Sequence, residues 1–245
     1  MAPPETPSEA TPETSFEATP ETHPDPPPEA PTSSLRESLR ESLRLIIITD
    51  EELAKPRSVQ EVVKKALNAG ARAIQLRSKG SSARELLDQA RTLREITRER
   101  GALFFVNDRF DVALAAEADG VHLGPDDLPP GAVRKATPPG FLIGASTDDP
   151  EVAKALEAEG VDYIGCGTIF PTSTKKDAGE VIGVTRLVEV AAAVEIPVVG
   201  IGGVTPEGAK KIAEAGSAVG VAVISAVMGA PNPDQVVREL LEPFQ

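Results

Sequence analysis

What most constrains this chain is an alternation that begins after Arg44, where short apolar runs of strand length are separated by longer stretches with helical spacing. The runs fall at residues 45–49, 73–77, 103–106, 120–123, 142–146, 163–166, 198–201 and 218–223. A parallel strand pair needs a crossover long enough to carry a helix, so this rhythm is the pattern of repeated βαβ units. Helical stretches lie between the runs at 59–69, 83–100, 150–159, 184–194 and 206–215. Two of them end at glycine, Gly70 and Gly216, which accepts the left-handed conformation without a Cβ clash. Thr205-Pro206-Glu207 reads as an N-cap, a proline at the first helical position and an acid in the first turn. Eight β/α units in roughly 200 residues fit the α/β class as a single (β/α)8 TIM barrel spanning 45–245. A doubly wound open sheet is the competing architecture.

The segment before the barrel has a different composition. Ten of the first 31 residues are proline, mixed with Glu, Thr and Ser, and Phe16 is the only large hydrophobe among them. Such a stretch cannot bury a core and is expected to be a disordered acidic tail over 1–34. From Leu35 a Leu-Arg-Glu-Ser pattern repeats every four residues, so 35–44 reads equally as a short lead-in helix or a linker.

Nine acids and two bases precede Leu43, which leaves only −6 of the formal charge of −13 for the barrel. With 3% aromatic residues and no basic stripe, a nucleic-acid partner is excluded. No apolar stretch approaches the roughly 20 residues that span a bilayer, so no membrane partner is expected. Neither a secretory nor a transit signal is recognisable, and the single Cys166 permits no intrachain disulfide. A reducing cytoplasm is the default compartment, and a homo-oligomer is compatible with the sequence.

In a barrel, polar residues just after a strand face the catalytic mouth. The second run ends Gln75-Leu76-Arg77-Ser78-Lys79, and alternation sends Gln75, Arg77 and Lys79 to one side, where two cations suit a polyanion. The third ends Asn107-Asp108-Arg109, and Gly124-Pro125-Asp126-Asp127 follows the fourth. Carboxylates from neighbouring strand ends are the oxygen ligands of a magnesium–diphosphate complex. Asp108 reads alternatively as an N-cap, and Asp126 and Asp127 as turn residues. After the seventh and eighth runs stand Gly202-Gly203 and Ile224-Ser225, where barrels commonly bind phosphate, although a glycine pair also makes a tight turn. The loop over 167–179 is longer than most βα connections and offers Thr172, Ser173, Thr174, Lys175 and Lys176, the composition of a lid.

Taken in order, Gln75-Leu76-Arg77-Ser78-Lys79, Asn107-Asp108-Arg109, Asp119-Gly120-Val121-His122-Leu123-Gly124, Phe170-Pro171-Thr172-Ser173-Thr174-Lys175 and Gly200-Ile201-Gly202-Gly203 resemble the thiamine-phosphate synthase family. The resemblance implies a transferase joining 4-amino-2-methyl-5-hydroxymethylpyrimidine diphosphate to a hydroxyethylthiazole phosphate, or its carboxylated precursor, with release of diphosphate. It implies Gln75, Arg77, Lys79, Asn107, Ser146 and Lys175 around the pyrimidine diphosphate, with Arg77, Lys79, Ser146 and Lys175 acting in catalysis. Asp108 and Asp127 would hold Mg²⁺, and Thr172, Ser173, Thr174, Gly203, Ile224 and Ser225 the thiazole phosphate. Ser78, Pro125 and Thr168 depart from the family's usual residues. A thiazole tautomerase-like paralogue and a non-catalytic barrel that binds a thiamine precursor are the alternatives. Cys166 is expected to be a small core residue, and His122, with no second histidine beside it, a structural one.

Overall fold

The computed structural model describes residues 33–174 and 180–245; the tail over 1–32 and Lys175 lie outside the described residues. Eight parallel strands close into a barrel in sequence order: β1 (Leu45–Ile48), β2 (Ala73–Leu76), β3 (Leu103–Asn107), β4 (Gly120–Leu123), β5 (Leu142–Ser146), β6 (Tyr163–Cys166), β7 (Val198–Ile201) and β8 (Gly220–Val223). The final strand starts two residues later than the apolar run suggests. The chain there crosses the end of the lead-in segment so tightly that a Cβ on Gly220 would lie 2.3 Å from the Leu43 carbonyl oxygen.

Helices α1 (Ser33–Ser42), α2 (Glu51–Ala54), α3 (Val59–Asn68), α4 (Ala83–Arg98), α5 (Phe110–Ala115), α6 (Pro130–Ala136), α7 (Pro150–Ala158), α8 (Gly183–Ala193), α9 (Pro206–Glu214), α10 (Ser225–Met228) and α11 (Pro233–Leu241) accompany the strands. Their starts follow from the sequence. Ser58 and Ser82 form capping boxes with Glu61 and Glu85, and Asp149 and Thr205 cap α7 and α9 ahead of a proline. None of the described helices is long and apolar enough to cross a membrane.

Strand alternation divides the core in two. Outward residues such as Ile74, Phe104, Val121, Ile143, Ile164 and Cys166 pack beneath the helices; inward residues Ile46, Ile48, Ala73, Phe105, Tyr163, Val199 and Ala222 fill the barrel. Leu43 is wholly buried against the inward set and Leu39 packs beside it, so α1 closes the end where the strands begin. At that same end a device occurs twice. Asp119, one residue ahead of β4, accepts hydrogen bonds from Arg94 of α4 at 2.7 and 3.0 Å and from the Phe104 N–H of β3 at 2.8 Å. Asp162, one residue ahead of β6, likewise accepts from Arg134 of α6 and from the Ile143 N–H of β5. Each carboxylate ties a helix and two strands together, leaving the opposite end for chemistry.

Candidate active site

The same alternation that points Ala73, Phe105 and Gly144 inward carries Gln75, Asn107 and Ser146 to the inner face near the strand C-termini. His122 joins them from β4, in register with Asn107 on one side and Gly144 on the other. Thr49, buried at the end of β1, donates its backbone N–H to the Gln75 carbonyl at 2.9 Å. Its hydroxyl accepts the Arg77 N–H at 3.0 Å, so one threonine fixes the backbone beneath two of the expected site residues.

Asp108 is not a helix cap. The N-cap position of α5 is Arg109, which makes no capping bond and pairs with Asp111 instead. Asp108 itself adopts a left-handed φ of 65°, with its N–H bound to the His122 carbonyl and the flanking Asn107 carbonyl accepting the Arg109 N–H at 2.7 Å. A side chain held at positive φ carries strain on the order of 1–3 kcal/mol, a feature that concentrates where geometry serves function. The turn brings its carboxyl to that of Asp127. Desolvation by the rim, then the hydrogen bond and charge of Asp127, push the Asp108 carboxyl up to about 6, while Arg77 and Lys79 draw it partly back. Asp127 is held in turn by the Gly124 N–H, which its carboxylate accepts at 2.7 Å, so its turn role and its place in the site coexist. Asp126 is exposed.

Thus Arg77, Lys79, Asp108 and Asp127 converge on one side of the mouth. Among the described residues no group of three or more His, Cys, Asp and Glu forms a metal cluster. Two adjoining carboxylates are nevertheless a donor set that suits Mg²⁺, which commonly takes one or two carboxylates and completes its shell with water and substrate phosphates.

Across the mouth the arrangement is built from hydroxyls and glycines. The Thr172 hydroxyl donates to that of Thr174 at 3.1 Å, and the Thr174 hydroxyl to that of Ser225, at the start of α10, at 3.0 Å. Ile224, buried, precedes it. Gly203 has a φ of 63°, and a Cβ there would lie 2.5 Å from the carbonyl oxygens of Phe170 and Pro171. Only glycine lets the β7 loop pass so close under the β6 loop. Ser173 is exposed beside this chain.

The family model described as thiamine monophosphate synthase matches residues 45–227. The chain belongs to the thiamine monophosphate synthase family. A thiamine-phosphate synthase of Moorella thermoacetica is 47% identical over 198 residues, covering 81% of this chain and 94% of that protein. One from Pyrococcus furiosus is 48% identical over 197 residues, covering 80% and 92%. Among solved structures, a thiamine phosphate pyrophosphorylase from Pyrococcus furiosus superposes with a TM-score of 0.76 at 45% identity, covering 84% of this chain and 97% of that one.

Within this family setting two inward residues stand out: Tyr163, which the strand-end reading passes over, and His122, which it expects to be structural. Tyr163 is wholly buried inside the barrel, its ring edge-on to Phe105 with centroids 5.4 Å apart. Its hydroxyl meets His122 Nδ1 at 3.0 Å, and His122 Nε2 meets Ser146 Oγ at 2.8 Å. Burial holds the phenol above its ordinary pKa, so it keeps its proton. The signal was present in the sequence as strand parity, which turns His122, Ser146 and Tyr163 to the same interior. Cys166 faces outward, fully buried, with its thiol pushed up to about 12 by burial, and takes no part in the site.

Proposed function

We propose that this chain acts as a thiamine-phosphate synthase, transferring the pyrimidinylmethyl group of 4-amino-2-methyl-5-hydroxymethylpyrimidine diphosphate to a hydroxyethylthiazole phosphate with release of diphosphate. The observation that carries the reading is the convergence of Asp108, Asp127, Arg77 and Lys79 on one side of the mouth of a barrel of this family. In the reaction the methylene carbon–oxygen bond breaks, the electron pair leaves with diphosphate, and the thiazole nitrogen lone pair forms the new carbon–nitrogen bond. Negative charge therefore grows on the departing group, and groups fixed in advance where that charge appears lower the barrier.

Arg77, Lys79 and Lys175 supply positive charge, and Ser146 a hydroxyl, around the leaving diphosphate. Gln75 and Asn107, on the inner wall, orient the pyrimidine. Asp108 and Asp127 would hold Mg²⁺, which when bound adds cationic charge against the diphosphate oxygens. The hydroxyl chain of Thr172, Thr174 and Ser225, with Ser173, Gly203 and Ile224, receives the thiazole phosphate. No side chain is needed as a nucleophile, because both reacting atoms belong to the substrates. Holding those atoms in line supplies much of the remaining rate.

Measuring diphosphate release with each substrate omitted in turn, across a Mg²⁺ titration, tests this reading. Release should require both organic substrates and the metal. Conversion of a thiazole substrate without diphosphate release would replace the synthase with a tautomerase.

A further inference from the structure

The barrel interior gives up apolar packing to house one polar chain. A Cβ on Gly144 would lie 2.2 Å from Tyr163 Cζ, and one on Gly165 would lie 3.1 Å from His122 Cε1. Barrels usually fill such inward positions with branched side chains. Here two neighbouring strands carry glycine where the tyrosine and histidine need room. The Gln75 side chain lines the same small cavity as Tyr163 and His122 and faces the Tyr163 hydroxyl, beside the chain already described through His122 to Ser146. The cavity beside it, lined by Gln75, His122, Tyr163 and apolar walls, measures about 20 Å³, room for roughly one water. The Tyr163 and Gln75 end of the chain is shut off from bulk solvent, while Ser146 sits partly exposed at the mouth.

Held as a neutral imidazole, His122 has one donor and one acceptor, and the chain then runs in one of two directions. If Tyr163 donates to His122 Nδ1, then Nε2–H donates to Ser146 Oγ, and the serine proton points to the mouth. Tyr163 then accepts from the Gln75 amide N–H, which leaves the Gln75 carbonyl available there. In the opposite direction Ser146 donates inward and offers only lone pairs, while Gln75 shows its amide N–H. Only the first direction places a donor against an anionic diphosphate, and only it offers a carbonyl to an exocyclic amine.

We propose that Tyr163 and His122 are positioning residues that hold this chain in the first direction, so that Ser146 is a hydrogen-bond donor toward the departing diphosphate and Gln75 an acceptor for the aminopyrimidine. The inference rests on the transferase reading above for its consequence, but the direction of the chain is measurable without turnover.

The sequence contains only two histidines, His23 and His122, so ¹⁵N spectra of the labelled full-length protein resolve the ring nitrogens of His122. Nε2 should carry the proton and Nδ1 should not. A protonated Nδ1 with bare Nε2 overturns the proposal whether or not the protein turns over. Kinetics of diphosphate release supply the second arm. Tyr163→Phe keeps the ring against Phe105 and should lower kcat about 10-fold, the scale of one lost hydrogen bond, with KM for the pyrimidine diphosphate within about twofold. His122→Gln, whose amide reaches toward Ser146, should retain more kcat than His122→Asn, which reaches only Tyr163. In a Ser146→Ala background Tyr163→Phe should cost clearly less than about 10-fold, because the chain then positions Gln75 alone. The same 10-fold loss in both backgrounds would mean that Tyr163 acts structurally. A wild-type protein that releases no diphosphate, yet shows the Nε2–H form of His122, would count against the transferase reading and leave the chain standing.

Discussion

At the end of the barrel where the strands begin, Asp119 and Asp162 are each matched by an arginine and a backbone N–H, whereas at the other end Asp108 and Asp127 face each other. The residue type is the same, but at the first end each carboxylate bonds its own arginine, whereas at the other two carboxylates share one place. A carboxylate whose partners are all present lowers the energy of the fold, because its bonds replace those it made to water. A pair of carboxylates pressed together raises it, which under the proposed function a bound cation would offset. The two ends thus separate stability from chemistry within a single closed sheet, and the separation is open to direct attack.

Changes at the upper end should alter rate and leave folding nearly untouched. Asp108→Ala is expected to reduce kcat/KM for diphosphate release by at least ~100-fold, the scale of losing one preorganised electrostatic contact, and Lys175→Ala to do the same. Both should melt within a few degrees of the parent. A variant within twofold of the parent in turnover would remove that residue from the site. Changes at the lower end should do the reverse. Asp119→Ala leaves the Arg94 guanidinium and the Phe104 N–H without their acceptor, and is expected to cost about 2–3 kcal/mol of stability in denaturant melts. Turnover per folded molecule should stay within about twofold. If Asp119→Ala proved as damaging to rate as Asp108→Ala, the division between the ends would fail.

Much of this contrast was legible in the sequence, and what was missed has a common cause. The eight apolar runs named every strand to within two residues, since burial on both faces leaves an uninterrupted apolar signature. Polar residues at run ends pointed to Gln75, Arg77, Lys79, Asn107 and Asp108 at the mouth, because a strand has only two faces and the mouth lies at one end, whereas Ser146 entered only through the family resemblance. Asp108 could not be separated from an N-cap by type, as aspartate serves both roles; its left-handed backbone and its approach to Asp127 decide the matter. The Asp119 and Asp162 clamps escaped the sequence reading because their partners lie 25 and 28 residues away on the preceding helices. Tyr163 escaped for a different reason. A tyrosine in an apolar run reads as packing, and only Gly144, set across from it in β5, shows that the barrel was opened to admit it.

The smallest expected effect sharpens the contrast most, because it reads the burial of Asp108 and its approach to Asp127 at the mouth itself. Asp108 is raised to about 6 in the folded protein against an ordinary 3.8. An acid whose folded pKa is raised binds its proton more tightly when folded, so stability is greatest at low pH and declines as pH climbs between those two values. Asp108 retains solvent contact, which screens the effect and keeps it below about 1 kcal/mol. Other groups also titrate in this range, so the measurement is the difference in melting temperature between the parent and Asp108→Asn, without added metal, from pH 4 to pH 7. That difference should move in favour of the variant up to about pH 6 and then level off. Adding Mg²⁺ at pH 7 should reverse it, since a cation held by Asp108 and Asp127 would supply the positive charge that arginines supply at the other end. A difference that stays flat with pH would show that neither burial nor Asp127 raises the Asp108 carboxyl, and the opposition between the two ends would lose its physical basis.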